Sequence, residues 1–121
     1  MNQTDNFIEL IWYNLISSCD CMFYDCSDII EIDFSSFDAS NVDNMRAMFY
    51  NCKSLTSLNL SNFNTSKVKM MNMMFNQCTS LTSLNLSNFD TSKVEWIHKM
   101  FEGCTNLEYI IFKNYFQYII S

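Results

Sequence analysis

The sequence predicts an α/β solenoid, a right-handed stack of strand-turn-helix units with a period of 26 residues. Two observations predict this fold class: the chain repeats itself at a fixed interval, and the apolar spacing inside each repeat changes from helical to extended. A hydrophobic share of 49% in 121 residues can fill one core, so we expect a single folded domain.

The repeats are visible as consecutive blocks that align without a gap and begin with an aromatic residue. A partial copy precedes them, because Met22, Phe23 and Cys26 align with the MFxxC pattern of the later blocks. The predicted organisation is an N-terminal cap with a degenerate half repeat, four repeats, and a truncated repeat or C-terminal cap. The ranges are 1–21, then 22–114 (22–36 partial, 37–62, 63–88 and 89–114), then 115–121.

The first part of each block has the apolar spacing of a helix. Val68, Met71, Met74, Phe75 and Cys78 lie at i, i+3, i+6, i+7 and i+10, which predicts a three-turn helix with one buried face. A serine precedes this segment in each block and is predicted to cap the helix. These serines are Ser40, Ser66 and Ser92.

The predicted helix ends at residue types that mostly tolerate a left-handed backbone, namely Asp25, Asn51, Gln77 and Gly103. After the following cysteine, Leu58 and Leu60 alternate with outward residues, as in a short strand. One unit cannot bury its apolar face alone, so we expect the strands of successive units to lie side by side in parallel.

Four of the six cysteines keep the 26-residue spacing. A free cysteine is among the most buried residue types, so we predict a reduced core ladder of Cys26, Cys52, Cys78 and Cys104. Disulfides between stacked neighbours are the alternative, because their spacing in a stack falls within reach of an S–S bond. A metal ladder is disfavoured, because the chain has no CxxC motif and a single histidine.

The composition argues against several classes of function. A net charge of −6 leaves no excess of cations for nucleic acid or anionic lipid, and no apolar stretch is long enough to span a membrane. His98 is the single histidine and aligns with Arg46 and Asn72 on an outward position. One glycine excludes a glycine-rich phosphate loop. We therefore expect no catalytic residues, no metal and no cofactor.

At LTSLNLSNFDTSKV followed by MFxxC, the sequence resembles the 26-residue repeat of BspA-like leucine-rich-repeat surface proteins, and the resemblance covers residues 22 to 114. It implies a leucine-rich-repeat type of fold, carried by surface proteins and lipoproteins of bacteria and by surface proteins of some protists. It also implies adhesion to host or matrix proteins. A cell-surface or extracellular location follows from the resemblance.

The N-terminal sequence gives this location little support. MNQTDNFIEL has no basic residue where a signal peptide needs one. Ile16 to Cys19 resembles the lipidation site of bacterial lipoproteins, but both residues also occupy inward positions of the repeat. The repeat therefore accounts for Cys19 without lipidation.

We expect a non-catalytic binding or adhesion module that recognises a protein partner through its strand face. The outward strand residues predicted to carry binding are Ser57, Asn59, Ser83, Asn85, Tyr109 and Ile111. The alternative is a structural subunit or fragment of a longer surface protein that has no ligand and associates end to end. Its predicted contact residues are Tyr115, Tyr118 and Ile120, unless residues 115–121 fold back over the last repeat.

Overall fold

The structure of the protein is a computed structural model that describes residues 15 to 113 and the backbone of residues 115 to 118. Strands β1 and β2 pair in parallel, as do β3 and β4, and β5 runs antiparallel to β4. The bounds are β1 Glu31–Asp33, β2 Ser57–Asn59, β3 Ser83–Leu86, β4 Tyr109–Phe112 and β5 Tyr115–Tyr118.

Every parallel contact joins residues that are 26 positions apart. Glu31 pairs with Ser57, and Ser83 pairs with Tyr109. A second line of parallel bridges, away from the strands, passes through Ser18, Asn44, Met70 and Trp96. The repeats therefore lie side by side in register, and we call this arrangement the stack.

The predicted strand-turn-helix solenoid is wrong, because residues 15 to 113 contain no helix. The strands also fail to form one continuous sheet: β1 and β2 form one sheet and β3, β4 and β5 another, with no pairing between β2 and β3. The segment predicted as a helix is a series of overlapping turns. Met48, Tyr50 and Cys52 each donate their N–H to the carbonyl three residues earlier.

Alternate N–H groups of this segment, from Met45 to Asn51, bind the next repeat. Met45 and Ala47 donate to the carbonyls of Met70 and Asn72 at 2.8 and 3.0 Å. Phe49 and Asn51 donate to the carbonyls of Met74 and Asn76 at 2.9 and 2.8 Å. Because alternate N–H groups point to a neighbouring repeat, they cannot make the i to i−4 bonds of an α-helix.

A left-handed backbone at two positions of each repeat also prevents a right-handed helix. The expected left-handed residue at the end of the segment is present in every repeat. A second one lies four residues earlier and was not predicted, because cysteine, alanine, methionine and lysine do not favour it. The positive φ angles are 56° at Cys21, 63° at Asp25, 51° at Ala47, 60° at Asn51, 58° at Met73, 63° at Gln77, 57° at Lys99 and 79° at Gly103.

The serines predicted as helix caps act as donors in tight turns. The main-chain N–H of Ser40 donates to the carboxylate of Asp38 at 2.9 Å, and that of Ser66 donates to Asn64 Oδ1 at 3.0 Å. Such a turn needs Asp or Asn two residues before the donor. Hydrogen bonds from the side chain and the main-chain N–H of Ser40 lower the pKa of the Asp38 carboxyl group below its ordinary value.

The core runs along the stack as columns of equivalent residues. The rings of Phe23, Phe49, Phe75 and Phe101 form one column, with centroids 5.8, 5.4 and 5.7 Å apart. Phe34 packs its edge against Phe49 at 5.7 Å. The fully buried side chains of methionine, leucine and valine fill the space around these rings.

The ends of the chain lie partly outside the described residues. The backbone of β5 pairs antiparallel with β4. Whether residues 115–121 cover the last repeat stays a prediction. The side chains of Tyr115 and Tyr118 and all of Ile120 lie outside the described residues, as does the N-terminal cap up to residue 14. The predicted domain boundaries stay a prediction.

Candidate functional site

The strand face consists of the outward residues of β1 to β4. Neighbouring positions are in register within each sheet: Asp33 lies beside Asn59, and Asn85 lies beside Ile111. Of the residues predicted to bind, Ser57, Asn59 and Asn85 are exposed, while Ser83, Tyr109 and Ile111 are half-buried.

The asparagine and aspartate side chains on this face hydrogen-bond to the main chain as well as to one another. Asn59 Oδ1 accepts the N–H of Ser61 at 3.1 Å, while its amide nitrogen donates to Asp33 Oδ1 at 3.0 Å. Asp33 also accepts the N–H of Ser35 at 2.9 Å, and these bonds lower the pKa of its carboxyl group. Both the oxygen and the nitrogen of the Asn59 amide therefore have a hydrogen-bond partner within the protein.

Asn85 differs from Asn59 because of the break between β2 and β3, which we call the seam. Asn85 Oδ1 accepts the N–H of Ser87 at 3.1 Å, so the local turn is the same. Its amide nitrogen, however, has no hydrogen-bond partner among the described residues. The seam thus leaves an exposed pair of N–H donors in the middle of the strand face.

The two sides of the seam are joined by one side chain in particular. The amide nitrogen of Asn88 lies 3.1 Å from the carbonyls of both Leu60 and Ser61, and 2.8 Å from that of Phe63. The contacts with Leu60 and Ser61 link the third repeat to the second, where strand pairing is missing, while Phe63 belongs to the same repeat as Asn88. Across the seam, the Asn88 side chain therefore hydrogen-bonds the preceding repeat, whereas the amide nitrogen of Asn85 has no partner among the described residues.

The cysteines form a second ladder, on the inside of the stack. The thiol of Cys78 donates to the carbonyl of Phe49 at 3.1 Å, and that of Cys104 donates to the carbonyl of Phe75 at 2.9 Å. Each carbonyl also accepts a main-chain N–H from the cysteine of its own repeat. A thiol therefore supplies the second hydrogen bond to a buried carbonyl.

The described cysteines are free thiols. Cys52, Cys78 and Cys104 are buried, whereas Cys26 is half-buried. Loss of solvent on burial raises the pKa of Cys104 to about 11, and it raises that of Cys52 to about 12, with a smaller effect from Cys26. Cys19 is buried as well, and burial raises its pKa to about 11.

We predict that thiol reagents distinguish these groups. Cys21 and Cys26 are half-buried, so iodoacetamide should modify them at least about tenfold faster than Cys78 in the folded protein. The pKa of Cys21 is raised by burial and by Asp20, so its thiolate is scarce below pH 9 and its labelling rate should keep rising with pH through neutrality. Peptide mass spectrometry after timed labelling measures both rates.

Urea-unfolded protein is the control for this labelling, because all cysteines should then react at similar rates. Modification of Cys78 as fast as Cys21 in the folded protein would contradict the buried ladder.

The remaining candidates for chemistry stand apart from one another. His98 is exposed and contacts the ring of Trp96 edge-on, with ring centres 6.1 Å apart. Arg46, at the equivalent position two repeats earlier, forms an ion pair with Asp20 at 3.0 Å. Residues 15 to 113 bring together no group of three His, Cys, Asp or Glu side chains able to hold a metal ion.

The parallel strand pairs and bridges define the class of protein. It is a repeat protein whose 26-residue units stack in parallel through turns and short strands. The chain belongs to the family described as Mycoplasma protein of unknown function, DUF285, which matches residues 17–117. No curated protein and no solved structure matches the chain. No helix in the described part of the chain is long and apolar enough to cross a membrane.

Proposed function

We propose that this protein is a non-catalytic binding module that recognises a protein partner through the strand face. The observation that carries the proposal is the unpartnered amide of Asn85, exposed at the seam in the middle of a face of hydroxyl and amide groups. A protein surface presents many carbonyl and carboxylate oxygens, which are the acceptors that such an amide requires.

The surroundings of Asn85 support the same proposal. On one side lie the acidic Glu31 and Asp33, and on the other lie Tyr109 and Ile111 beside the cation Lys113. A partner therefore meets an acidic region, a neutral polar region and an apolar region in order along the stack. Such a gradient fixes the direction in which an extended partner binds, because the reversed partner would place like charges together.

The proposal includes a relationship to the BspA-like surface repeats, supported by the LTSLNLSNFDTSKV and MFxxC motifs. On this basis the partner is a host or matrix protein, and the module acts at the cell surface. Purified fibronectin and laminin are suitable first probes.

We expect Asn85→Asp to weaken binding to whichever of these probes the wild-type protein binds. The aspartate keeps the oxygen that accepts the Ser87 N–H, so the turn survives while the two donors are replaced by a negatively charged acceptor. An acceptor left unpaired in the partner costs about 1 to 3 kcal/mol, which corresponds to a loss of roughly tenfold or more in affinity. Surface plasmon resonance with immobilised probe measures the change.

Asn64→Asp is the matched control. It makes the same chemical change in a turn whose equivalents in the neighbouring repeats are Asp38 and Asp90. Its affinity should stay within about twofold of wild type. Equal affinities for the Asn85→Asp variant and this control would rule out the strand face, and absence of binding to both probes would reject matrix adhesion through them.

A further inference from the structure

The turn segments form a second surface, made of residues other than those of the strand face. The rings of Trp96 and His98 contact each other edge-on, so these two side chains point in the same direction. Met70 and Asn72 are their equivalents one repeat earlier, and Met70 bridges to Trp96 in register. We call these four residues, together with Arg46 at the position of Asn72 in the preceding repeat, the turn face.

Asn72 is only 5% exposed, yet its side-chain amide is unpaired. Within residues 15 to 113, its Oδ1 is the buried side-chain oxygen or nitrogen atom that has no hydrogen-bond partner, and its amide nitrogen makes no bond to the described residues either. Asn76, in the same repeat and equally buried, donates its amide nitrogen to the carbonyl of Lys99 at 3.0 Å. Because an unpaired buried amide lowers stability, Asn72 points to a partner that supplies both a donor and an acceptor.

The two neighbours of Asn72 along the stack have free hydrogen-bonding groups as well. The guanidinium of Arg46 binds Asp20 through Nε and Nη2 at 3.0 and 3.2 Å, and its Nη1 has no partner among the described residues. The imidazole of His98 makes no hydrogen bond to the described part of the chain. Since neighbouring repeats in a parallel stack lie about 4.8 Å apart, the turn face presents these polar groups in one row with the Asn72 amide at its centre.

We propose that the turn face binds an extended peptide segment of a partner protein, with one peptide group paired to the side chain of Asn72. A peptide group offers one N–H and one carbonyl, which are the two partners that a side-chain amide needs. Same-side groups of an extended chain recur about every 6.6 Å, so the next carbonyl lies within reach of the Arg46 guanidinium. Asn72 Oδ1 is shielded from solvent in the free protein, so exposed neighbours such as His98 must change rotamer when the peptide binds.

A peptide fits this site better than a small ion does, because an ion supplies donors or acceptors but not both. The charge of Arg46 is already matched by Asp20, so the site has little excess charge to hold a free anion. Trp96 is 53% exposed and lies beside the half-buried Met70, so the two offer an apolar contact for one side chain of the peptide. The turn face shares no residue with the strand face, so this interaction does not depend on the proposed function.

Asn72→Leu tests whether the amide has a partner inside the protein. Leucine is close to asparagine in size and removes the unpaired polar atoms, so the urea midpoint of unfolding should stay the same or rise. Asn76→Leu is the matched control, because it removes a hydrogen bond at an equally buried position and should lower the midpoint. A midpoint lowered as much by Asn72→Leu as by Asn76→Leu would overturn the proposal.

Random heptapeptides displayed on phage are the probe for binding. The library is first depleted on immobilised Asn72→Leu protein and then selected on the wild-type protein. Synthetic copies of the enriched peptides should bind the wild type at least about tenfold more tightly than Asn72→Leu, as measured by fluorescence anisotropy. Methylation of one particular peptide nitrogen should cause a similar loss, because it removes the N–H that pairs with Asn72 Oδ1. Trp96→Ala should weaken binding as well, whereas Ile30→Ala, at an exposed apolar residue outside the turn face, should not.

A selection that enriches no peptide would overturn the proposal, as would enriched peptides that tolerate methylation at every nitrogen. The Asn85→Asp variant should bind the enriched peptides as the wild type does. The Asn72→Leu variant should in turn bind fibronectin or laminin as the wild type does. A failure of the turn face is therefore distinguishable from a failure of the strand face.

Discussion

Replacing Phe49 with alanine is expected to lower the free energy of unfolding by about 3 to 5 kcal/mol, the usual cost of truncating a buried phenylalanine. Phe49 is fully buried and contacts three other rings, those of Phe23, Phe34 and Phe75. Removing its ring opens a cavity and interrupts the phenylalanine column in the middle of the stack. The loss is a large part of the roughly 5 to 15 kcal/mol that stabilises a typical domain.

Urea denaturation followed by circular dichroism measures this loss. Phe49→Leu is the matched control, because it keeps most of the apolar volume and should cost less than about 2 kcal/mol. Tyr24→Ala removes a ring that also stacks, on Tyr50 at 4.7 Å, but at an exposed position, so its cost should be about 1 kcal/mol. A similar cost for Phe49→Ala and Tyr24→Ala would show that the column does not stabilise the stack.

Replacing Ala47 with valine is expected to destabilise the protein by about 2 to 5 kcal/mol. Ala47 is buried and has a φ angle of 51°. A left-handed backbone costs an ordinary residue about 1 to 2 kcal/mol and is least accessible to a β-branched one, and overpacking adds about 1 to 3 kcal/mol. The N–H of Ala47 also donates to the carbonyl of Asn72 in the next repeat, so the backbone cannot move to relieve the strain.

Ala39→Val separates the two contributions. Ala39 is equally buried but is not among the residues with a positive φ angle, so valine there should cost only the overpacking. Ala47→Gly removes the left-handed cost and should change stability by less than about 1 kcal/mol. Equal losses for the two valine variants, measured by thermal unfolding, would show that the backbone at Ala47 carries no special constraint.

The sequence predicts the stacking register but mispredicts the local backbone, and the reason is physical. Identical residues recur every 26 positions, so the neighbours of Ser57 and Tyr109 across the strands follow from alignment alone. The spacing of Met45, Met48, Phe49 and Cys52 fits one face of a helix, but it fits a series of turns equally well. Apolar spacing reports which side chains point inward and not which carbonyl each N–H binds.

Two features of the candidate sites have no clear signal in the sequence. The left-handed conformation of Ala47 and Lys99 runs against the preference of both residue types, so the sequence does not indicate it. The seam separates Leu58 and Leu84, although the two repeats that contain them share the segment LTSLNLSNF. Identical sequence on both sides cannot indicate which junction lacks strand pairing, so the free amide of Asn85 is visible only in three dimensions.

The main-chain hydrogen bonds between repeats also limit how such a gene can change in length. A single inserted residue between Met45 and Asn51 would move every later donor away from its carbonyl and turn the inward side chains outward. Loss or duplication of a whole unit such as 63–88 would instead rejoin matching surfaces. Recombination between units is therefore the tolerated route to shorter and longer versions of the stack.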